Sequence, residues 1–259
     1  MTAALTDSAT MLRRNLRHML RYPSLTLLLV GMPIVFLLLF VYVFGGTLGA
    51  GLGARTGGRA LYLDYVTPGI LLMAVAAVAN GTAISVAMDM TEGIIARFRT
   101  MAIARVSVLT GHVVGAVLQT MFAVAVVLGV AVLIGFRPHA PVLGWLGLAG
   151  VVALVGFALT WLSVALGLVS KSVEAASNLP MPLTFLPFLG SGFVPTGSMP
   201  TGLRWFAQYQ PFTPVIETVR GLLTGTRIGG SGLASVAWCA GIALVGYLWA
   251  RRLYARPRA

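Results

Sequence analysis

The run LTLLLVGMPIVFLLLFVYVF, residues 25–44, is twenty residues long and holds no charge. About 20 apolar residues are what a helix needs to cross the hydrocarbon core of a bilayer. In that solvent a helix has the further merit of closing its own backbone hydrogen bonds. Several more runs approach this length, and 58% of the 259 residues are hydrophobic while only 9% are charged. An ordinary globular domain carries roughly half and about a quarter. The sequence therefore predicts an all-α integral membrane protein, organised as one transmembrane domain over residues 1–259.

Six spans are read from the apolar runs, at 25–44, 66–88, 112–134, 142–169, 176–194 and 233–250. Arg13, Arg14, Arg17 and Arg21 precede the first run, which is long and lacks a small-residue cleavage site, so it reads as a retained span and not a signal peptide. The fifth span contains Pro180, Pro182 and Pro187. These kink a helix and free carbonyls that neighbouring helices must satisfy, which places the span inside a bundle. Residues 197–231 are too polar and too punctuated by Pro and Gly to cross. Within them PVIETVRGLL, 214–223, has apolar residues at helical spacing and predicts a short re-entrant or interfacial helix before the last span. The Gly-rich stretch 45–58 reads as a flexible outer linker.

The 18 basic residues orient the chain. With the N-terminus inside, six of them fall outside: Arg55, Arg59, Arg137, Arg204, Arg220 and Arg227. The other twelve, including Arg97, Arg99, Arg105, Lys171, Arg251 and Arg252, fall inside. That bias predicts cytoplasmic termini and a cytoplasmic segment 89–110. Because the net charge of +12 is scattered among apolar blocks, it fits lipid topology and not nucleic-acid binding.

Function is narrowed by what is absent. A phosphate-cradling loop needs Gly-x-x-x-x-Gly-Lys-Ser/Thr, but Lys171, in GLVSKS, follows Ser170. His18, His112 and His139 lie in three different segments with no acid or cysteine at ligand spacing, so no metal site is predicted. Cys239 is the only cysteine and reads as packing. The six acids are Asp7, Asp64, Asp89, Glu92, Glu174 and Glu217, and none falls in the middle of a span. Ion-coupled transporters usually keep ionisable groups at membrane depth, so energy is expected from another protein. A membrane enzyme lacks its usual clustered acids or histidines here, while a self-sufficient channel differs in needing no ATPase.

The segment MTEGIIARFRTMAIAR, 90–105, concentrates charge between two apolar stretches. As a helix over 89–101, Asp89, Glu92, Ala96 and Arg99 share one face, while Ile94, Ile95, Phe98 and Met101 share the other. Such an amphipathic cytoplasmic helix either meets a partner or is merely solvated, and spacing alone leaves both open.

EGIIARFRTMAIARVSVLTGH resembles the segment after the second span of ABC transporter permeases of the type 2 exporter family, matching at Glu92, Gly93, Arg97, Arg99 and Gly111. Ala102 and Ile103 stand where many members have proline. A second stretch, 186–223, resembles the family's exit from the fifth span through Ser191, Gly192, Pro195, Met199, Pro200, Pro211, Thr213 and Arg220. The likeness covers essentially the whole chain and points to permease subunits of daunorubicin-type drug-resistance exporters. It implies a coupling helix that enters a groove on an ATPase, with Asp89, Glu92, Gly93, Arg97 and Arg99 on it, and an N-terminal interfacial helix over 11–22. It also implies two copies of an ABC ATP-binding subunit carrying ATP and Mg, no cofactor in this chain, a second and identical permease chain, and a bacterial plasma membrane.

The implied activity is ATP-driven export of amphipathic hydrophobic compounds, as in drug or antibiotic efflux. Export of a lipid or glycan precursor is the alternative within the same architecture. Trp161, Phe185, Phe188 and Phe193 are candidates for the substrate pathway, since pockets for such ligands are mostly apolar. Glu217 and Arg220, spaced to pair across one helical turn, are candidates for an extracellular gate or an interfacial anchor.

Overall fold

With no water to satisfy backbone groups in hydrocarbon, each apolar run must pair its own amides and carbonyls. The computed structural model describes residues 23–52, 58–91 and 105–255, and all regular structure among them is helical. Helix α1, Pro23–Leu39, passes through a π-helical turn, Phe40–Phe44, into α2, Gly45–Gly51. Then come α3, Gly58–Thr91, α4, Arg105–Leu133, and α5, Val142–Val169. The last helix, named α10 below, is Ser231–Ala255. Five stretches are long and apolar enough to cross a membrane: Leu29–Gly51, Gly58–Thr91, Leu109–Leu133, Val142–Val169 and Ser231–Tyr254.

The fifth predicted span departs from expectation. In place of one kinked helix, residues 173–189 form α6, Val173–Asn178, α7, Met181–Phe185, and a 3-10 turn, Leu186–Leu189. Pro180, Pro182 and Pro187 withhold three backbone donors within eight residues, which is more than one helix can absorb. Ser172 caps α6 by accepting from the Ala175 amide at 3.2 Å. After an irregular stretch come α8, Thr201–Tyr209, and α9, Phe212–Thr224, which Gly225 ends in the left-handed conformation at φ 71°.

Two other boundaries move. The second span begins at Gly58 instead of 66, so Asp64 lies on α3. The stretch 45–51, expected as linker, is the helix α2. It continues the helix before it, and Gly49 meets the Gly58 backbone where any side chain would collide.

Helix α3 is the centre, packing against α1, α2, α4, α5, α6, α7 and α9. Its small residues let neighbours approach to backbone distance. A Cβ on Gly167 of α5 would lie 2.6 Å from the Ala83 carbonyl oxygen, and one on Gly246 of α10 would lie 2.6 Å from the Leu162 amide nitrogen. Gly246→Leu is accordingly expected to push α10 from α5 and cost about 1–3 kcal/mol. The check is thermal unfolding in detergent, beside the neutral control Gly241→Ala, whose site is open.

The run from α1 into α2 is antiparallel to α3, Leu29 lying against Gly81 and Gly45 against Arg59. The bundle thus has two ends. At the Asp89 end, Val86, Leu109, Val113, Trp161, Val164, Leu168, Ala250 and Tyr254 form a core cluster separate from the main one. At the other, the Arg220 end, the His139 amide donates to the Leu223 carbonyl at 2.9 Å, joining the turn after α4 to α9.

Candidate functional site

Three places carry the predicted residues. At the first, Asp89 sits in the last turn of α3 and accepts from Nε2 of His112 on α4 across 3.0 Å, with side-chain exposures of 13% and 4%. The carboxylate therefore faces a neighbouring helix. Glu92, Gly93, Arg97 and Arg99, most of the helix expected over 89–101, and the segment 11–22 lie outside the described residues. The sequence reading weighs His112 only as a metal ligand, whereas in the fold it is buried and needs a polar partner. That partner is an acid on the preceding helix.

At the second place, Phe188 and Phe193 stack with ring centroids 4.2 Å apart and planes 10° from parallel. Phe36 lies edge-on to Phe188 at 5.7 Å and Phe40 lies 4.8 Å from Phe193, so the end of α1 and the π-helical turn complete an aromatic cluster. The Tyr62 hydroxyl donates to the Phe193 carbonyl at 3.1 Å, fixing the loop to α3. The other two candidates are elsewhere. Phe185 is exposed, and Trp161 is buried edge-on to Tyr247 at 5.0 Å in the cluster at the Asp89 end. Phe36 and Phe40 escaped the sequence reading because nothing local distinguishes them from packing. Cys239 is buried beside a small apolar cavity between α5, α9 and α10, in keeping with a packing role.

At the third place, Glu217 and Arg220 do pair across a turn of α9, Nη1 donating to Oε1 at 2.5 Å. Arg220 reaches further. Its Nη2 donates to the Ser191 carbonyl at 2.8 Å and to the Tyr65 carbonyl at 3.2 Å, and its guanidinium lies 4.1 Å from the centre of the Tyr65 ring. One side chain thus ties α9 to α3 and to the loop after the 3-10 turn. Beside it, Gln210 Nε2 donates to the Leu186 carbonyl at 3.1 Å, and the Thr213 hydroxyl donates to the Ala207 carbonyl. The Leu186 and Ser191 carbonyls of the broken stretch thus accept from Gln210, between α8 and α9, and from Arg220 of α9. Among the described residues no three of His, Cys, Asp and Glu gather as metal ligands. What the three places offer is mechanical linkage and apolar contact.

The chain is similar to known membrane proteins over most of its length. It is 30% identical over 224 residues to the daunorubicin resistance ABC transporter permease protein DrrB1 of Streptomyces coeruleorubidus, covering 86% of this chain and 77% of that one. It is 25% identical over 246 residues to the probable doxorubicin resistance ABC transporter permease protein DrrC of Mycobacterium tuberculosis, covering 94% and 87%. A shorter match, 29% over 147 residues, joins it to the doxorubicin resistance permease protein DrrB of the same organism, covering 56% and 51%. The profile of one family, described as ABC-2 type transporter, matches residues 7–224. With five membrane-length apolar stretches, α3 among them, and a match that takes in all three places just described, this chain belongs to the ABC-2 type transporter family.

Proposed function

We propose that the chain is the membrane subunit of an ATP-driven exporter that expels amphipathic, largely apolar compounds; its relatives are named as permease proteins of daunorubicin and doxorubicin resistance. The observation that carries the reading is the family match over residues 7–224 together with relatives of that one kind. Hydrolysis belongs to separate ABC subunits, two per complex, which bind ATP and Mg. Two copies of this chain form the pathway in a bacterial plasma membrane, with both termini cytoplasmic. The broken segment 173–195 makes the sixth crossing. Its irregular backbone is tolerable at membrane depth where α3 and α9 pack against it and Gln210 and Arg220 donate to its carbonyls, while Leu179, Met181, Phe185 and Leu189 face outward.

In this reading residues 89–104 face the ATPase, with Glu92, Gly93, Arg97 and Arg99 meeting it. The Phe188–Phe193 cluster supplies apolar contact along the pathway, and Glu217 with Arg220 holds the extracellular side shut. A transport cycle requires that nucleotide state and substrate bias the same conformational equilibrium.

The test is affinity purification from the native membrane, followed by reconstitution into liposomes with the co-eluting ATPase and an efflux assay with doxorubicin. ATP-dependent efflux, lost together with drug-stimulated hydrolysis in Glu92→Ala and Arg99→Ala, is the expected result. A chain that elutes alone and moves no drug on ATP addition would sink the exporter reading. Efflux unchanged in both variants would remove their coupling role.

A further inference from the structure

Asp89 lies on α3, two residues before Thr91, and its carboxylate has a partner on the next helix. That partner, His112, belongs to α4, seven residues after its start at Arg105. His112 is buried, Asp89 is mostly so, and the two side chains lie 3.0 Å apart. Between them the chain runs through 92–104, so this contact closes a loop whose two stems are the ends of α3 and α4.

Close to the pair the stems are also packed: Val86 of α3, Leu109 and Val113 of α4, Trp161, Val164 and Leu168 of α5, and Ala250 of α10 share the small core cluster. A push delivered to 92–104 has two possible destinations. If the stems separate, the push is absorbed at the junction. If they stay fixed, they move as one body and drive the four helices that share the cluster.

We propose that the Asp89–His112 contact is a positioning clamp that holds the α3 and α4 stems at fixed separation, so that motion of an ATPase docked on 92–104 is passed into the bundle. The clamp deepens the exporter reading and rests on it. Asp89 then acts through His112, and direct contact with the ATPase falls to the residues beyond Thr91.

The experiment uses the reconstituted complex and reads drug exported per ATP hydrolysed. In Asp89→Ala and in His112→Ala this ratio is expected to fall about tenfold, within the range usual for coupling between sites, while the ATPase still co-purifies. Asp89→Asn keeps an acceptor for His112 and should retain most of the ratio. The exchanged pair Asp89→His with His112→Asp should recover it. A ratio unchanged in both alanine variants overturns the clamp, as does a loss that merely tracks the amount of folded complex.

A second measurement needs no ATPase. Spin labels at Met88 and Val114, both exposed, are placed on the purified chain with Cys239→Ser as background. Their dipolar coupling should be sharply defined with the clamp intact and broadened in Asp89→Ala. An unchanged coupling refutes the clamp. If the wild-type chain recruits no ATPase while Asp89→Ala broadens the coupling, the exporter reading fails and the clamp stands as a joint of the fold.

Discussion

Arg220→Ala is expected to lower the thermal midpoint of the purified protein by roughly 6–12 °C, corresponding to about 3 kcal/mol for a chain of this size. The side chain is only 15% exposed and has three partners on three segments. Removing it takes the donor from the Ser191 carbonyl, at about 1–3 kcal/mol for a buried polar group, and forfeits the second bond on the Tyr65 carbonyl and the contact with the Tyr65 ring. Glu217→Ala should be far milder, about 0–1 kcal/mol, because Glu217 is 40% exposed and its pairing is screened. Arg220→Lys should fall between, since an ammonium is a point charge and cannot hold two carbonyls and a carboxylate as a planar fork does. Equal midpoints for Arg220→Ala and Glu217→Ala would show that the residue acts only through its surface ion pair.

Gly69→Val is expected to be more disruptive still, with little folded protein recovered by size-exclusion chromatography. A Cβ at Gly69 would stand 2.7 Å from the Gly192 carbonyl oxygen and 2.8 Å from its Cα, and backbone atoms cannot rotate aside. The loop must retreat from α3, breaking the Tyr62–Phe193 and Arg220–Ser191 hydrogen bonds together. Overpacking alone costs about 1–3 kcal/mol, to which the lost hydrogen bonds add. Gly192→Ala meets the same contact from the other side, 3.0 Å from the Gly69 Cα, so the two substitutions should couple and not add. Gly197→Ala and Gly202→Ala, with nothing within 4 Å, should change stability by less than about 0.5 kcal/mol. Disruption by all four alike would show that the region resists any added bulk and that the Gly69 contact is nothing special.

The long helices were legible because a crossing demands an uninterrupted apolar run, as 142–169 and α5 illustrate, with identical bounds. The Glu217–Arg220 pair was legible because its two members lie three residues apart on one helix. What was not legible depends on distance along the chain. Arg220 finds Ser191 29 residues away and Tyr65 155 away, and no local pattern announces either. Asp89 looked like the first residue of an amphipathic surface helix because its spacing to Glu92 and Arg99 fits one. In the fold it ends a longer helix and turns toward His112. The aromatic candidates were chosen for residue type alone, and only Phe188 and Phe193 come together. Three prolines were read as bends, but their combined loss of donors breaks the segment into separate turns that borrow partners from Gln210 and Arg220.

The central place of α3 also decides how the protein meets bilayers of different thickness. Its most apolar stretch is 72% buried within the protein, against 28% for the stretch from Leu29 and 22% for α10. Hydrophobic mismatch acts on helices through the lipid that touches them, at fractions of a kcal/mol per Å. In a thinner or thicker membrane α10 and the first helix are the ones that tilt, flexing against α5 and α3. The helix bearing both Tyr65 and Asp89 keeps the angle its protein neighbours give it.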